Sequence, residues 1–373
     1  MFFPTLILSF AVASATPPGV VIDHQPAATR QYIGSPSIAI LPNGDFVSSH
    51  DFFGPGSTQS TSAVTRVFRS QDKGRTWRQT AELHDQFWST LFVHRGNLYL
   101  MGTTYEYGRI VIRRSADGGR QWSGPAFLTE GTGFHTAPVP VVEANGRLWR
   151  AFEYHPTGPW GSFEAFLMSA PLNADIMKAA SWTMTERLPF PKATHPEGQT
   201  WLEGNAVVAR DGCGTAHGRC VVDILRVHDT ENAATLQVAG GHLRFQGLSA
   251  FPGGAKKFTI RFDRKTQRYF ALANPALPEY PLSATNPASV RNTLALLSSR
   301  DLREWKQERI VLSHPDVTKH GFQYVDWQFD GPDLAAVIRA GFDDDEGGAP
   351  RAHDANFLLF YRVKNFRKSG STE

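Results

Sequence analysis

Cysteine is almost absent from this chain of 373 residues: Cys213 and Cys220 are the only two, and both lie in the glycine-rich loop GCGTAHGRC. With His217 between them they make a weak zinc site, and in a secreted protein a local disulfide is the natural reading. Long apolar runs are also scarce. The one at the amino terminus, Met1 to Ala15, ends in Ala13-Ser14-Ala15 and is followed by Thr16-Pro17-Pro18. That small-x-small pattern reads as a secretory signal ahead of a single catalytic domain over 16–373, and no other run is long enough to cross a bilayer. Lys and Arg are spread along the chain at a net charge of only +3. The absence of a basic cluster or a basic amphipathic helix argues against nucleic acid and membrane surfaces, while a mildly positive potential favours an anionic substrate. Helical periodicity is nearly missing, with one short turn expected in Ala174 to Ala180. Asp343-Asp344-Asp345-Glu346 lacks the alternating ligands of a calcium loop and reads as a solvated turn. No metal and no cofactor are expected, and the chain is read as a monomer.

What the sequence does contain is a repeat. SQDKGRTW (Ser70 to Trp77) and SADGGRQW (Ser115 to Trp122) both spell Ser-x-Asp-x-Gly-x-x-Trp, and their aspartates, Asp72 and Asp117, are 45 residues apart. The pattern predicts a tight hairpin whose Asp accepts backbone N–H groups of its own turn, whose Gly supplies a permissive backbone position, and whose Trp packs the turn onto the sheet. A third copy, SSRDLREW from Ser298 to Trp305, keeps Ser299, Asp301 and Trp305 but lacks the Gly. Short strands repeating at this period point to propeller blades.

Six strand–turn–strand pairs follow along the chain. They are Ser35–Leu41 with Phe46–His50, Thr90–His94 with Leu98–Thr104, Pro138–Glu143 with Leu148–Tyr154, Ala206–Arg210 with Val221–Val227, Phe258–Phe262 with Tyr269–Asn274, and Tyr324–Phe329 with Leu334–Ala340. The final run Asn356 to Val363 needs a partner, which Val20 to Asp23 can supply by closing the ring. The expected fold is therefore an all-β propeller of six four-stranded blades, or seven if a long insertion hides one.

In a propeller, residues just before each first strand and just after each second strand converge on the axis at one face. Before the first strands stand Trp88, His135, Glu203 with Asn205, Lys257, and Tyr324. After the second strands stand His50 with Asp51, Tyr105 with Glu106, Tyr154, Arg226 with His228, Asn274, and Arg339, and the loop beyond adds His353. Almost all are polar or aromatic, whereas the opposite strand ends carry ordinary Asn-Gly and Asp-Gly turns; that asymmetry marks a site. An arginine aimed inward from a β-run, as at Arg226 and Arg339, needs an anion or a carboxylate such as Glu203.

The three turn motifs resemble the Asp-box of the sialidase-like (BNR-repeat) superfamily, which implies a propeller and leaves the reaction open. In true sialidases an Arg-Ile-Pro motif, an arginine triad, a Tyr–Glu nucleophile pair and an Asp acid do the chemistry. The matching region here, Tyr32-Ile33-Gly34-Ser35-Pro36, has no arginine, which counts against sialic acid hydrolysis. Glu203 with Arg226 resembles the segment carrying the glutamate and a second arginine. Arg339 matches another member, Asp51 stands where an acid could, and Tyr324 is the nucleophile candidate. The stretches YIGSPSIAILPNGDFVSSHDFFGP, GFHTAPVPVV, WLEGNAVV, GGAKKFTIRFD and FQYVDWQFDG are also similar to secreted propellers related to rhamnose–glucuronate lyases.

The leading expectation is accordingly a lyase that cleaves a 4-linked uronate in an acidic oligo- or polysaccharide by β-elimination. Arg226, with Arg339 or Lys257, neutralises the uronate so that its C5 proton becomes removable; His135 or His50 is the base and Tyr154 the acid or its partner. Trp88 and Tyr105 stack on sugar faces, and Asn205 and Asn274 bond hydroxyls. Two alternatives stand beside it: a sialidase-type exo-glycosidase with Tyr324 as nucleophile and Glu203 as base, and a non-catalytic carbohydrate-binding propeller.

Overall fold

The computed structural model describes residues 16–155, 160–211, 213 and 219–368. The proposed signal segment and His217 lie outside them. Six antiparallel sheets follow one another around a ring. Blade I runs Tyr32–Ile33 and Ser37–Ile40, then Phe46–Phe53, Val64–Ser70 and Arg78–His84; blade II runs Phe87–His94, Asn97–Thr103, Ile110–Ser115 and Ala126–Phe127. Blade III is built on Phe134–His135 and Val142–Ala144, Arg147–Tyr154 and Glu164–Pro171, with two short outer pieces. Blades IV and V are regular, Trp201–Ala209 to His242–Ala250 and Thr259–Asp263 to Lys306–Ser313. Blade VI takes Gly321–Asp330, Asp333–Gly341 and Phe357–Val363 from the end of the chain. Its outermost strand is Val20–His24 from the beginning, paired antiparallel with Phe357–Val363. This is the ring closure expected from the unpartnered terminal run.

The blades pack face to face, and one apolar cluster fills each of the six interfaces. Their inner strands are thus buried on both faces, which is why Leu294-Ala295-Leu296-Leu297 can be apolar at every position. Nearer the axis, neighbouring inner strands do not pair with each other, and their polar groups are joined by side-chain struts instead. Ser37 Oγ donates to Asp326 Oδ2 at 2.9 Å and accepts Leu91 N at 3.0 Å, linking blades VI, I and II. Thr90 Oγ1 reaches Val139 O at 3.0 Å, and Gly204 N reaches Glu153 Oε1 at 2.9 Å. Asn205 holds Phe258 O and Ile260 N, and Lys257 Nζ donates to Val325 O at 2.8 Å, completing the circle.

The three Asp-box turns join the third and fourth strands of blades I, II and V, on the outside of the ring. In the first two, Ser70 and Ser115 donate to Asp72 and Asp117 at 2.8 Å, and the aspartates accept the backbone N–H groups of Thr76 and of Gln121. The tryptophan Nε1 closes each turn on the carbonyl of Gly74 or Gly119, both at positive φ. In the third turn Leu302 takes that left-handed place at φ 66°. An L-residue there costs roughly 1–2 kcal/mol, but Leu302 is buried in the interface of blades IV and V, a gain of about 2 kcal/mol. The motif therefore survives without its glycine.

Cys213 and Cys220 form the disulfide that the sequence suggested. The acidic run is less solvated than expected, because Asp344 Oδ2 is tied to His24 Nε2 and Asn356 Nδ2, both at 2.7 Å. The short turn falls at Ala179–Ser181. Among the described residues no helix is long and apolar enough to cross a membrane.

Candidate active site

Strand ends and loops from all six blades enclose a cavity of about 300 Å³ at one mouth of the ring. Asp51 comes from blade I, Trp88 from II, His135 from III, Glu203 and Arg226 from IV, Arg291 from V, and Tyr324 and Arg339 from VI. Three of these side chains are aimed by the same backbone device. Trp88, Glu203 and Tyr324 have φ values of 47°, 57° and 54°, and each sits where the register between the first and second strands of its blade slips. Such a bulge turns a strand residue toward the axis at a cost of roughly 1–2 kcal/mol in left-handed backbone. Strain of one kind, at one level, in three blades is spent on this cavity.

Tyr324 Oη donates to Glu203 Oε1 at 3.0 Å. Burial, and next the Glu203 carboxylate, raise the tyrosine above its ordinary pKa, while Arg226, Arg291 and Arg339 pull it back down. The Arg339 guanidinium carbon lies 4.6 Å from the centre of the Tyr324 ring and that of Arg291 lies 5.9 Å away. Arg226 Nη1 stands 3.1 Å from Glu203 Oε2, yet neither atom is aligned for a hydrogen bond, and Arg226 Nε and Arg339 Nε have none either. Arg291 is steadied by Gln323, whose Oε1 accepts its Nη1 at 2.6 Å. Burial lowers Arg291 to about 10, with its arginine neighbours adding to the effect, so it stays charged at neutral pH. Three buried cations around one tyrosine, two of them with unfilled donors, are an arrangement suited to receiving an anion.

The first strand of blade I is packed tightly on Asp51 at Gly34. A Cβ at Gly34 would lie 1.6 Å from Asp51 Oδ1 and 2.6 Å from Asp51 O, so no side chain fits there. Asp51 Oδ1 accepts Ser35 N at 2.8 Å, its Oδ2 accepts Trp88 N, and its backbone oxygen accepts Gly34 N at 2.6 Å. The carboxylate thus braces the break in the first strand of blade I against the bulge of blade II. Burial raises Asp51 to about 6 despite these donors. Arg339, from the second strand of blade VI, is held by the His353 carbonyl and Nε2, the latter at 3.3 Å.

The other side of the cavity is aromatic. His135 packs against Trp88, ring centres 4.4 Å apart, and against Phe163 at 4.8 Å, and Trp160 meets His228 at 4.6 Å. Tyr107, at φ 60°, lies 6.2 Å from His135, and burial with the charge of Glu106 pushes it up to about 12. Burial and nearby arginines hold His228 and His353 down to about 3, so both are neutral. Beneath the wall His135 Nδ1 meets Glu153 Oε2 at 2.8 Å.

Of the residues singled out in the sequence, Asp51, Trp88, Glu106, His135, Glu203, Arg226, His228, Tyr324, Arg339 and His353 line the cavity, and the others do not. His50 points to the opposite face of its strand, where Nε2 pairs with Asp23 Oδ2 at 2.9 Å and Nδ1 with its own chain. Tyr154 lies outside, packed on Phe134 and under the Arg187 guanidinium at 3.6 Å. Asn205 and Lys257 are interblade struts, and Asn274 Nδ2 bridges Thr293 O and Phe322 O at 2.7 Å. Tyr105 gives way to Tyr107 as the lining aromatic of its loop. Arg291 was not anticipated because it precedes the third strand of its blade, outside the strand ends that topology singled out. Its signal was an arginine three residues ahead of an apolar run, Arg291-Asn292-Thr293-Leu294-Ala295-Leu296-Leu297.

Six four-stranded blades around a central cavity define a six-bladed β-propeller. The chain is similar in structure to the sialidase of Trypanosoma rangeli, with a TM-score of 0.61 and 15% identity over 89% of this chain, and it spans 55% of that longer protein. The NanB sialidase of Streptococcus pneumoniae gives 0.59 at 10% identity over 93% of this chain and 71% of its own. An α-L-arabinanase of Penicillium chrysogenum gives 0.56 at 13% identity, over 94% and 99% of the two chains. No family model matches the sequence, and no curated protein matches it. At these identities the likeness is one of fold.

Proposed function

We propose that the protein is a secreted glycoside hydrolase that removes a terminal acidic sugar, its carboxylate on or next to the anomeric carbon, through a tyrosyl–glycosyl intermediate. The observation that carries this reading is Tyr324 held on Glu203 at 3.0 Å inside a ring of three arginines. Arg226, Arg291 and Arg339 take the substrate carboxylate, which brings the anomeric carbon beside Tyr324 Oη. Glu203 accepts the phenolic proton as Oη attacks, and a neutral phenol suits a carbon that carries an anion better than a carboxylate nucleophile does. A cavity of about 300 Å³ suits one sugar unit, and the adjoining groove, which shares Phe53 and Gln59 with it, offers room for the leaving group. The solved relatives named above are sialidases and an arabinanase, which favours a carbohydrate substrate. The Met1 to Ala15 pattern and the disulfide favour an extracellular site of action.

Elimination from a uronate has less support. Two residues assigned to it, His50 and Tyr154, and the helper Lys257 lie outside the cavity. A binding-only propeller would have no use for a tyrosine held against a carboxylate. The test is to incubate the protein with 2,3-difluoro derivatives of sialic acid and of KDN (2-keto-3-deoxy-nononic acid), then map any added mass, while following ultraviolet absorbance of unsaturated uronate on glucuronate-containing glycans. Label on the Tyr324 peptide that is absent in Tyr324→Phe supports the reading. Rising absorbance with no label would return the protein to the lyases.

A further inference from the structure

We propose that His135 is the acid that protonates the departing sugar oxygen and then the base that draws the proton from the attacking water, a role that rests on the hydrolase reading above. The candidate that the sialidase resemblance supplies, Asp51, is committed elsewhere. Both of its carboxylate oxygens accept backbone N–H groups, from Ser35 and Trp88, and it fills the ground beside Gly34. It is a brace between two blades. Glu106 is engaged by the loop of blade I, accepting Gln59 Nε2 at 2.9 Å and Ser60 Oγ at 3.0 Å on one oxygen. His228 and His353 stand among the arginines and have no proton to give.

His135 is built differently. Its Nδ1 donates to Glu153 Oε2 at 2.8 Å, and Glu153, with no exposed surface, accepts Gly204 N at 2.9 Å on its other oxygen. Trp88 and Phe163 pack against the ring of His135, which lines the cavity, and with Nδ1 taken by Glu153 the nitrogen left for a ligand is Nε2. A buried carboxylate that sets the tautomer and orients the ring is the arrangement by which an imidazole hands on a proton at one defined atom. The same bulge serves both partners of the reaction: Glu203 reaches Tyr324 with its side chain, and the next residue, Gly204, anchors Glu153 with its N–H. One stretch of backbone therefore sets the spacing between nucleophile and acid. Tyr107 lies near His135, ring centres 6.2 Å apart, and is close enough to Tyr324 to feel its charge.

In the first step Tyr324 Oη bonds to the anomeric carbon, Glu203 takes the phenolic proton, the bond to the leaving oxygen breaks, and the His135 imidazolium gives its Nε2 proton to that oxygen. In the second, neutral His135 takes a proton from water, whose oxygen displaces Tyr324, and Glu203 returns the phenolic proton.

The experiment compares methyl and 4-nitrophenyl glycosides of N-acetylneuraminic acid, KDN and glucuronic acid, because nitrophenolate departs without an acid and methoxide does not. For His135→Gln, kcat/KM should fall about 10²-fold or more on the methyl glycoside and only a few-fold on the nitrophenyl glycoside. Glu153→Gln should show the same pattern more weakly, and it carries the test if His135→Gln does not fold. Asp51→Asn should lose both substrates equally. Equal losses in His135→Gln, or the selective pattern in Asp51→Asn or Glu106→Gln, overturn the assignment while leaving the hydrolase standing. A wild-type protein inactive on every glycoside would remove the hydrolase reading and this role with it.

Discussion

Asp223 offers a sharp test of the electrostatics beneath the cavity. It lies on the second strand of blade IV with no exposed surface, and neither carboxylate oxygen has a hydrogen-bond partner. A Cβ placed on Gly204 would come within 2.2 Å of its Oδ1, so the group is packed hard against the peptide that anchors Glu153. Burial, and then the charge of Glu153, raise its pKa well above the ordinary carboxylate value. The folded protein therefore keeps this proton after the unfolded chain has lost it. The associated stability is complete below the unfolded pKa of about 3.9 and falls by about 1.4 kcal/mol for each pH unit above it, until the buried group itself ionises. Asp223→Asn keeps the shape but binds no proton. Relative to wild type, its unfolding free energy should gain about 1.4 kcal/mol between pH 5 and pH 6. Asp51 titrates in both proteins and cancels from the difference. Urea unfolding at pH 5, 6 and 7, with midpoints and slopes measured for both chains, reads the effect directly. Parallel curves would mean that Asp223 is ionised in the fold, and the reasoning would be wrong.

Arg291→Ala should remove one charged contact to the substrate carboxylate, worth about 1.5–3 kcal/mol, and so lower kcat/KM on an acidic glycoside by roughly ten- to a hundredfold, with an unchanged melting curve. Gly34→Ala should destabilise the protein by at least about 1–3 kcal/mol, because the new methyl displaces Asp51 from its backbone donors; a melting temperature equal to wild type would contradict the close approach. In His50→Ala the loss should be one of stability, on the order of 3 kcal/mol, since Asp23 on the closing strand keeps only the His24 N–H and a weaker contact with Arg66. Tyr154→Phe should leave turnover close to wild type, whereas Tyr324→Phe should abolish it, in the same glycoside assay.

The amino-acid sequence by itself determined the propeller. An Asp-box turn closes within eight residues, through Ser, Asp, Gly and Trp acting on their own backbone, so its spelling in the sequence is its structure. Paired apolar runs around Asn-Gly turns, and an orphan final strand with a match near Val20, likewise depend on local rules plus one closure. Topology then named a majority of the cavity-lining side chains, because a propeller brings the same strand ends to one place. Only the tertiary structure decided which neighbour of each pair faces inward. Asp51 enters and His50 does not, because alternation along a strand needs a fixed register. Trp88, Glu203 and Tyr324 enter through bulges that composition does not reveal, and Asn205, Lys257 and Asn274 are polar because blades must be strutted to one another. Asp51 could be recognised as a brace only once its carboxylate was seen filling the space beside Gly34. Such choices rest on contacts between residues far apart in the chain, and their energies exist only when the ring has closed.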